Sequence, residues 1–547
     1  MEQKNLFVAI VLSIVVYMVW FQFIMPPKTV DPNALKSIKK NEKVETKKPV
    51  LNSFDPSKEL VDLRSDGELK TIKIDTPLYE AEITNRGAVI KQIKLKKYKE
   101  TNKADSGLKY LMDKNLPLGV SGLSFKNNSL KNFDKAIFSP VIADTNLRVT
   151  DKAETLSLVW KSEEGVIIEK KFEFSPDSYL INFQVIIKNG STQDFNDNLV
   201  VQLQNRLLDK SNISFVGPSL FRQKEMVEVS VGDIEKENFF KGDIHWLAIQ
   251  DRYFIMGLIS KDGSDSEVNL GYDKASEIID TAIVKETGIV APGTQKEVKL
   301  GLYAGPKSIS ALKNIGNDME KVVDFGMFDV IAKPCLKLMN MFYTNVVKNY
   351  GVAIILLTIL FKIILWPLGS KSYRSMNDMR KLQPLVNQIR EKHAGNKQKL
   401  NEEMMNLYKT YKVNPLSGCL PMIVQMPIFF AFYKMLYSAI ELRHAHFFGW
   451  ITDLSAPDRL FNLNFTIPYF DPPTGIPVLT LLMGGSMFLQ QKMSPPAGDP
   501  AQAKMMMFMP VFMTFIFMNF SSGLVLYWLV NNIVSISQQY YIMKKNA

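Results

Sequence analysis

Thiols and imidazoles are scarce in this chain: 547 residues hold two cysteines, Cys335 and Cys419, and four histidines, His245, His393, His444 and His446. The cysteines sit at the edges of different apolar segments, so no structural disulfide is expected, and no Cys/His spacing suggests zinc. His444 and His446 could share a metal, yet two ligands in a loop beside Phe447 and Phe448 make a weak site. Neither a metal nor a cofactor is expected. Carboxylates are also missing: no Asp or Glu lies inside the five apolar segments that follow residue 349. A secondary transporter needs inverted repeats, broken helices and usually an intramembrane carboxylate, so that alternative falls short. The other alternative is a membrane-anchored periplasmic carbohydrate-binding protein or enzyme. Catalysis there would need a paired acid and base in a region whose sole histidine is His245, so an enzyme is not expected.

What the chain does have is apolar sequence, 46% of its residues, concentrated near the N-terminus and after residue 330. It reads as part membrane, part soluble. The net charge of +11 comes from basic residues clustered beside the apolar segments. There they set orientation and meet anionic lipid, so nucleic acid is not an expected partner. One lysine, Lys362, lies inside the segment 350–368. At that depth a charge costs roughly 2.5–3.5 kcal/mol. It persists only if it reaches water, finds a partner or serves a function, which implies a wet place inside the bilayer.

Residues 6–25 are mostly apolar and lack a small-residue cleavage pattern, so residues 1–27 read as a signal anchor, with a cleaved signal as the competing reading. Residues 28–56 have the composition of a flexible tether. From 57 onward short alternating stretches are separated by turns such as Asn85-Arg86-Gly87 and Ser175-Pro176-Asp177, the pattern of an antiparallel sandwich. With a helix expected over 307–323, this all-β domain extends to 325. Residues 326–349 read as an amphipathic helix in the membrane interface. Residues 350–547 then supply five apolar segments, 350–368, 416–440, 476–490, 505–520 and 523–538, short enough to suit a thin bilayer. The loop 369–415 carries ten basic residues against four acids. By the positive-inside rule it is cytoplasmic, which puts the β domain outside, both termini inside, and six transmembrane helices in the chain.

That loop has helical spacing of its own. Met376, Met379, Leu382, Leu385 and Ile389, then Leu400, Met404, Leu407 and Tyr411, predict a helical hairpin over 370–413 with one apolar seam. It is either a solvated spacer or a docking arm whose basic residues Arg380, Lys381, Arg390 and Lys399 meet cytoplasmic partners.

A dense ordered set of motifs carries a resemblance over essentially the whole chain: Asn414 to Pro421, Gln425 to Phe429, Glu441-Leu442-Arg443, Trp450 to Ser455, Gln490 to Pro495, Phe508-Met509-Pro510 and Ser522 to Trp528. These resemble the YidC family of membrane protein insertases, and the large β domain after one anchor is similar to its Gram-negative form. The resemblance implies an inner-membrane protein with a periplasmic sandwich. It also implies no covalent chemistry, only a hydrophilic groove, closed toward the periplasm, that accepts nascent transmembrane segments and releases them into lipid. Implied partners are nascent membrane proteins, the Sec translocon and the ribosome or targeting factors.

Such a groove must be lined by the few polar residues of the apolar segments, since lipid cannot satisfy them. Lys362 and Thr358 lie four apart on one helix face, Gln425 in the next segment, and Tyr527, Trp528, Asn531 and Asn532 in the last. Each has a plainer reading: Lys362 could snorkel to the interface, Thr358 could bond its own helix, Gln425 could bridge two helices, and Trp528 could simply pack. The family usually has arginine where Lys362 stands, so the charge is kept but the bidentate fork is lost. Methionines crowd the fifth segment, at Met505, Met506, Met507, Met509, Met513 and Met518. They suit either substrate sliding or lipid-facing filler.

Overall fold

The computed structural model describes residues 52–53, 68–103, 105–113, 115–141, 144–206, 214–263, 265–393, 395–411, 413, 420–461, 463, 474–493 and 500–545. The expected anchor, nearly all of the tether, and Cys419 lie outside the described residues.

Strict alternation builds the sandwich. In Thr71–Asp75 the two isoleucines are buried and their neighbours exposed, and Tyr79–Thr84 alternates in the same way. One layer runs, in hydrogen-bonded order, through Glu154–Lys161, Val166–Phe174, Leu180–Asn189, Thr294–Pro306 and Phe254–Ser260. The other contains Thr71–Asp75, Tyr79–Thr84 and Val89–Lys99, and, hydrogen-bonded in turn, Val120–Phe125, Leu199–Arg206, Ile278–Lys285 and Asp265–Asp273. The long strand Phe239–Gln250 serves both: residues 239–243 pair with 265–269, and 246–250 with 255–259. Asn52 and Ser53 pair with Gln295 and Thr294, so sheet structure begins ahead of the expected boundary at 57.

The core between the layers is aliphatic and phenylalanine-rich, and it takes in a cation. Lys170 is fully buried, and its Nζ donates to the carbonyls of Ala88 and Ser121 and to Ser121 Oγ. Burial holds this ammonium well below its ordinary range.

The helix expected over 307–323 is a correction. The structure has a short helix α1, Ile309–Lys313, and a 3-10 turn, Met319–Val322. Gly316, Asn317 and Asp318 all adopt positive φ, which ends a right-handed helix. The amphipathic helix is α2, Asp329–Asn345, and it buries Ala332, Cys335, Leu336 and Met339. These residues belong to a second core that joins Phe221, Trp246 and Tyr303 of the sandwich to the helices that follow.

Those helices are α3 Tyr350–Ile364, α4 Trp366–Lys381, α5 Gln383–Lys392, α6 Lys397–Thr410, α7 Leu420–Ser438, α8 Val478–Met493, α9 Pro500–Phe517 and α10 Ser522–Lys545. Residues 350–368 do not form one helix: the chain bends by 66° between α3 and α4. Pro367 explains the break, because a proline there cannot continue the hydrogen-bond ladder of α3. Among the described residues no single helix is long and apolar enough to cross a membrane, while α3 and α4 pass that test together as a bent pair. In the hairpin, α5 and α6 pack on each other, and Val386 is buried while Ile389, Leu400, Met404 and Leu407 are half-buried. Tyr411, expected in this seam, is instead exposed, one residue past the end of α6.

Candidate functional site

Helix α10 is the spine of the site, and its polar side chains fix the directions of its neighbours. Asn531, Ser535 and Gln538 share one face at helical spacing. Gln425 Nε2 of α7 donates to Asn531 Oδ1 at 2.5 Å, Lys362 Nζ of α3 donates to Ser535 Oγ at 2.7 Å, and Gln538 Nε2 donates to the Trp366 carbonyl of α4 at 3.0 Å. A second face meets α8, where Asn532 Nδ2 donates to Ser486 Oγ at 3.0 Å and Gln539 Nε2 to the Met493 carbonyl at 3.0 Å. These registers make α3 and α8 parallel to α10, and α7 antiparallel to it.

The polar face is continuous and largely apolar outside. Tyr373 of α4 stands beside Ser535, and Tyr527 beside Gln425. Among the described residues no carboxylate pairs with Lys362. Ile363 and Ile364 of α3 and Phe508, Val511, Phe512 and Phe515 of α9 are more than half exposed on the outer surface. An apolar surface of that extent marks contact with lipid or with apolar chain.

The structure therefore brings Lys362, Gln425 and Asn531 onto one polar face. Thr358 is buried, and its hydroxyl donates to the Ile354 carbonyl at 2.7 Å. Tyr527 is buried and stacks on Phe432 with ring centroids 4.6 Å apart. Trp528 wedges between Phe429 of α7, at 4.6 Å, and Phe517 of α9, at 4.8 Å, edge-on to both. Sequence reasoning missed Ser535, Gln538, Ser486 and Tyr373. The signal for the first two was available: polar residues recurring at 531, 535 and 538 in an apolar run.

On the hairpin, Arg380, Lys381 and Lys399 are exposed and Arg390 is half-buried. His444 Nε2 lies 3.9 Å from Asp453 Oδ2, and among the described residues no cluster of three metal-ligating side chains occurs. The Met505, Met507 and Met509 side chains point outward on α9.

Comparison with known proteins gives the family of the chain. The family profile described as 60Kd inner membrane protein matches residues 341–547, and that of the YidC periplasmic domain matches residues 71–338. The membrane protein insertase YidC of Syntrophus aciditrophicus is 38% identical over 564 residues, covering 100% of both chains, and that of Pelobacter propionicus is 38% identical over 559 residues, covering 100% of this chain and 99% of the relative. A crystal structure of an active YidC insertase covers 86% of this chain and 92% of its own, at 19% identity and a TM-score of 0.38. Matched end to end by such relatives, and from residue 71 onward by the two family profiles, the chain belongs to the YidC family: it is a non-enzymatic membrane protein insertase of the inner membrane with a periplasmic β sandwich.

Proposed function

We propose that the polar face formed by Lys362, Gln425 and Asn531, extended by Ser535 and backed by Thr358, Tyr527 and Trp528, lines an intramembrane groove for the polar part of an entering client segment. The observation that carries this reading is the Lys362–Ser535 contact, a cation whose described partner is a neutral hydroxyl. A charge so placed keeps attraction to spare for an acidic residue of a client, and in a low-dielectric surround that attraction is strong. The apolar part of the client passes over the exposed face of α9 into lipid.

The same reading orients the chain. Helices α3, α7, α8, α9 and α10, with the N-terminal anchor, make six crossings, both termini cytoplasmic and the sandwich periplasmic; the basic hairpin supports this orientation. The hairpin residues Arg380, Lys381, Arg390 and Lys399 then offer a docking surface for the ribosome or targeting factors, and its basic flank suits anionic lipid. The insertase works alone or beside the Sec translocon.

Single cysteines placed along α3, α7 and α10, in a chain with Cys335 and Cys419 replaced, test the groove by water-soluble labelling. Positions 362, 425, 531 and 535 should label from the cytoplasmic side, and Ile359 and Ile363 should not. Alternating access of the polar positions from both sides would favour a transporter, and uniform protection would remove the groove.

A further inference from the structure

The sheet that carries Tyr79–Thr84 and Val89–Lys99 forks at Gly119. Strand Val120–Phe125 is hydrogen-bonded along its length to Leu199–Arg206, but it meets Val89–Lys99 at a single register point, Ile90 opposite Val120. Gly119 has a φ of +72°, and a Cβ on it would stand 2.7 Å from the Ile90 carbonyl oxygen, so the two chains touch there. Past the fork they part. Lys126 N donates to the Asn198 carbonyl at 3.0 Å, so antiparallel alternation turns the N–H and C=O of Leu123 and the N–H of Phe125 away from Leu199–Arg206. Among the described residues none of these three groups has a hydrogen-bond partner.

Between that open edge and the turn Asn85-Arg86-Gly87 lies a cleft of about 760 Å³. The loop at residues 126–138 borders it and is tied to the turn, Gly87 N donating to the Ala136 carbonyl and Phe138 N to the Asn85 carbonyl, both at 2.8 Å. Val89, Phe125, Leu130 and Phe133 give the cleft a buried apolar lining, while Leu69 and Leu118 line it and are exposed. Its described lining also holds Arg86, Lys91 and Lys131 against one acid, Asp134. Lys91 Nζ is taken up by the carbonyls of Leu116 and Pro117, at 3.1 and 3.0 Å, whereas Arg86 and Lys131 are exposed and form no ion pair among the described residues.

An open strand edge within a walled cleft suits strand addition, in which main-chain hydrogen bonds accept any sequence and the walls select alternate side chains. Residues 121–125 offer roughly 16 Å of edge, enough for about five residues of extended chain. An insertase with a periplasmic sandwich meets such chain on that side, because stretches of a client that have crossed the membrane emerge there before they fold. By the positive-inside rule those stretches are poor in Lys and Arg, so their charge is carried by Asp and Glu. Arg86 and Lys131 complement it.

We propose that this cleft receives an extended acidic stretch of client chain after it has crossed the membrane, adding it as a strand to the Leu123–Phe125 edge while Arg86 and Lys131 face its carboxylates. The site lies in the sandwich and does not depend on the groove at Lys362.

The test uses full-length protein in lipid nanodiscs and a fluorescent peptide of about ten residues that alternates valine and glutamate. Binding should be saturable. N-methylation of alternate backbone nitrogens of the peptide leaves its side chains and charge intact and should weaken binding at least tenfold, as should lysine in place of glutamate. Arg86→Glu with Lys131→Glu should cost at least tenfold, and Lys171→Glu, an exposed position on the other layer, should change nothing. Leu123→Pro, which removes an N–H of the open edge, should abolish binding; should it fail to fold, the methylated peptide tests the same bond. In inverted membrane vesicles, a photo-crosslinker at Ser124 should trap the translocated acidic stretch of a client during insertion, and one at Lys171 should not. Equal binding of the methylated peptide, or binding indifferent to the two cations, would overturn strand addition. Peptide binding without any client crosslink at Ser124 would overturn the client as occupant and give the cleft to a segment of another protein.

Discussion

Lys362 Nζ and Ser535 Oγ lie 2.7 Å apart, so the cation of α3 is held by a hydroxyl of α10 and, among the described residues, not by a carboxylate. A hydroxyl orients the ammonium without neutralising it. On the groove reading proposed above, the pair exchanges part of its interaction for a client's acidic group.

Lys362→Ala should lower insertion of clients with acidic translocated segments by about tenfold, equivalent to ~1.4 kcal/mol. Lys362→Arg should retain activity, since the charge is kept. Ser535→Ala should cost little alone and nothing more on top of Lys362→Ala, because both act through one contact. Equal insertion by wild type and Lys362→Ala across acidic clients would remove the central claim.

Replacing residues 378–411 by a flexible linker should leave the crossings inserted, because their apolar lengths are untouched. Client insertion should nevertheless fall further than in Lys362→Ala, since recruitment precedes transfer. Photo-crosslinkers at Arg390 and Lys399 should trap cytoplasmic partners, and one at Gln425 the client. Wild-type insertion without the hairpin would reduce it to a spacer.

The sandwich is fastened to the helices by Arg252, whose guanidinium stacks 3.5 Å above the Tyr437 ring while its Nε donates to the Tyr437 carbonyl at 2.7 Å. Arg252→Ala should weaken this junction by about 2 kcal/mol, and Arg252→Lys should recover only part of it, because lysine cannot stack and fork together. Hydrogen exchange in the strands that flank Arg252, Phe239–Gln250 and Phe254–Ser260, and in the C-terminal turn of α7 should both accelerate. Unchanged protection in both would show that the second core alone fixes the junction.

Burial pushes the Lys285 ammonium in the sandwich down to about 8 from its ordinary 10.5. Between those two values the unfolded chain holds a proton that the folded chain has released. Stability should therefore rise with pH across that window, and the cost of burying the charged ammonium is felt in full below it. Lys285→Met should flatten the slope, worth on the order of 2 kcal/mol. Denaturant unfolding followed by tryptophan fluorescence at several pH values measures it. A wild-type slope that survives the substitution would assign the effect to Lys170 or another group.

Much of this protein was determined by local rules that sequence obeys without help. Period-2 alternation located strands such as Tyr79–Thr84 and Val166–Phe174 at their observed bounds. Apolar length and basic clustering likewise located α7 to α10 and the hairpin, because burial in lipid or in a sheet selects residues position by position. The motif set carried the family for the same reason. What the sequence left open was settled by meetings between distant segments. The 307–323 stretch has helical composition but breaks at three residues of positive φ, and Met319 and Val322 join the second core. Nothing along the chain reveals that Lys362 meets Ser535, 173 positions away, or that Thr358, a plausible groove lining by spacing, turns its hydroxyl to its own helix. Gly351 and Gly523 likewise look like ordinary small residues until the loop at 439–460 packs against both. Side-chain pairing across helices depends on rotation and register, which tertiary packing alone fixes.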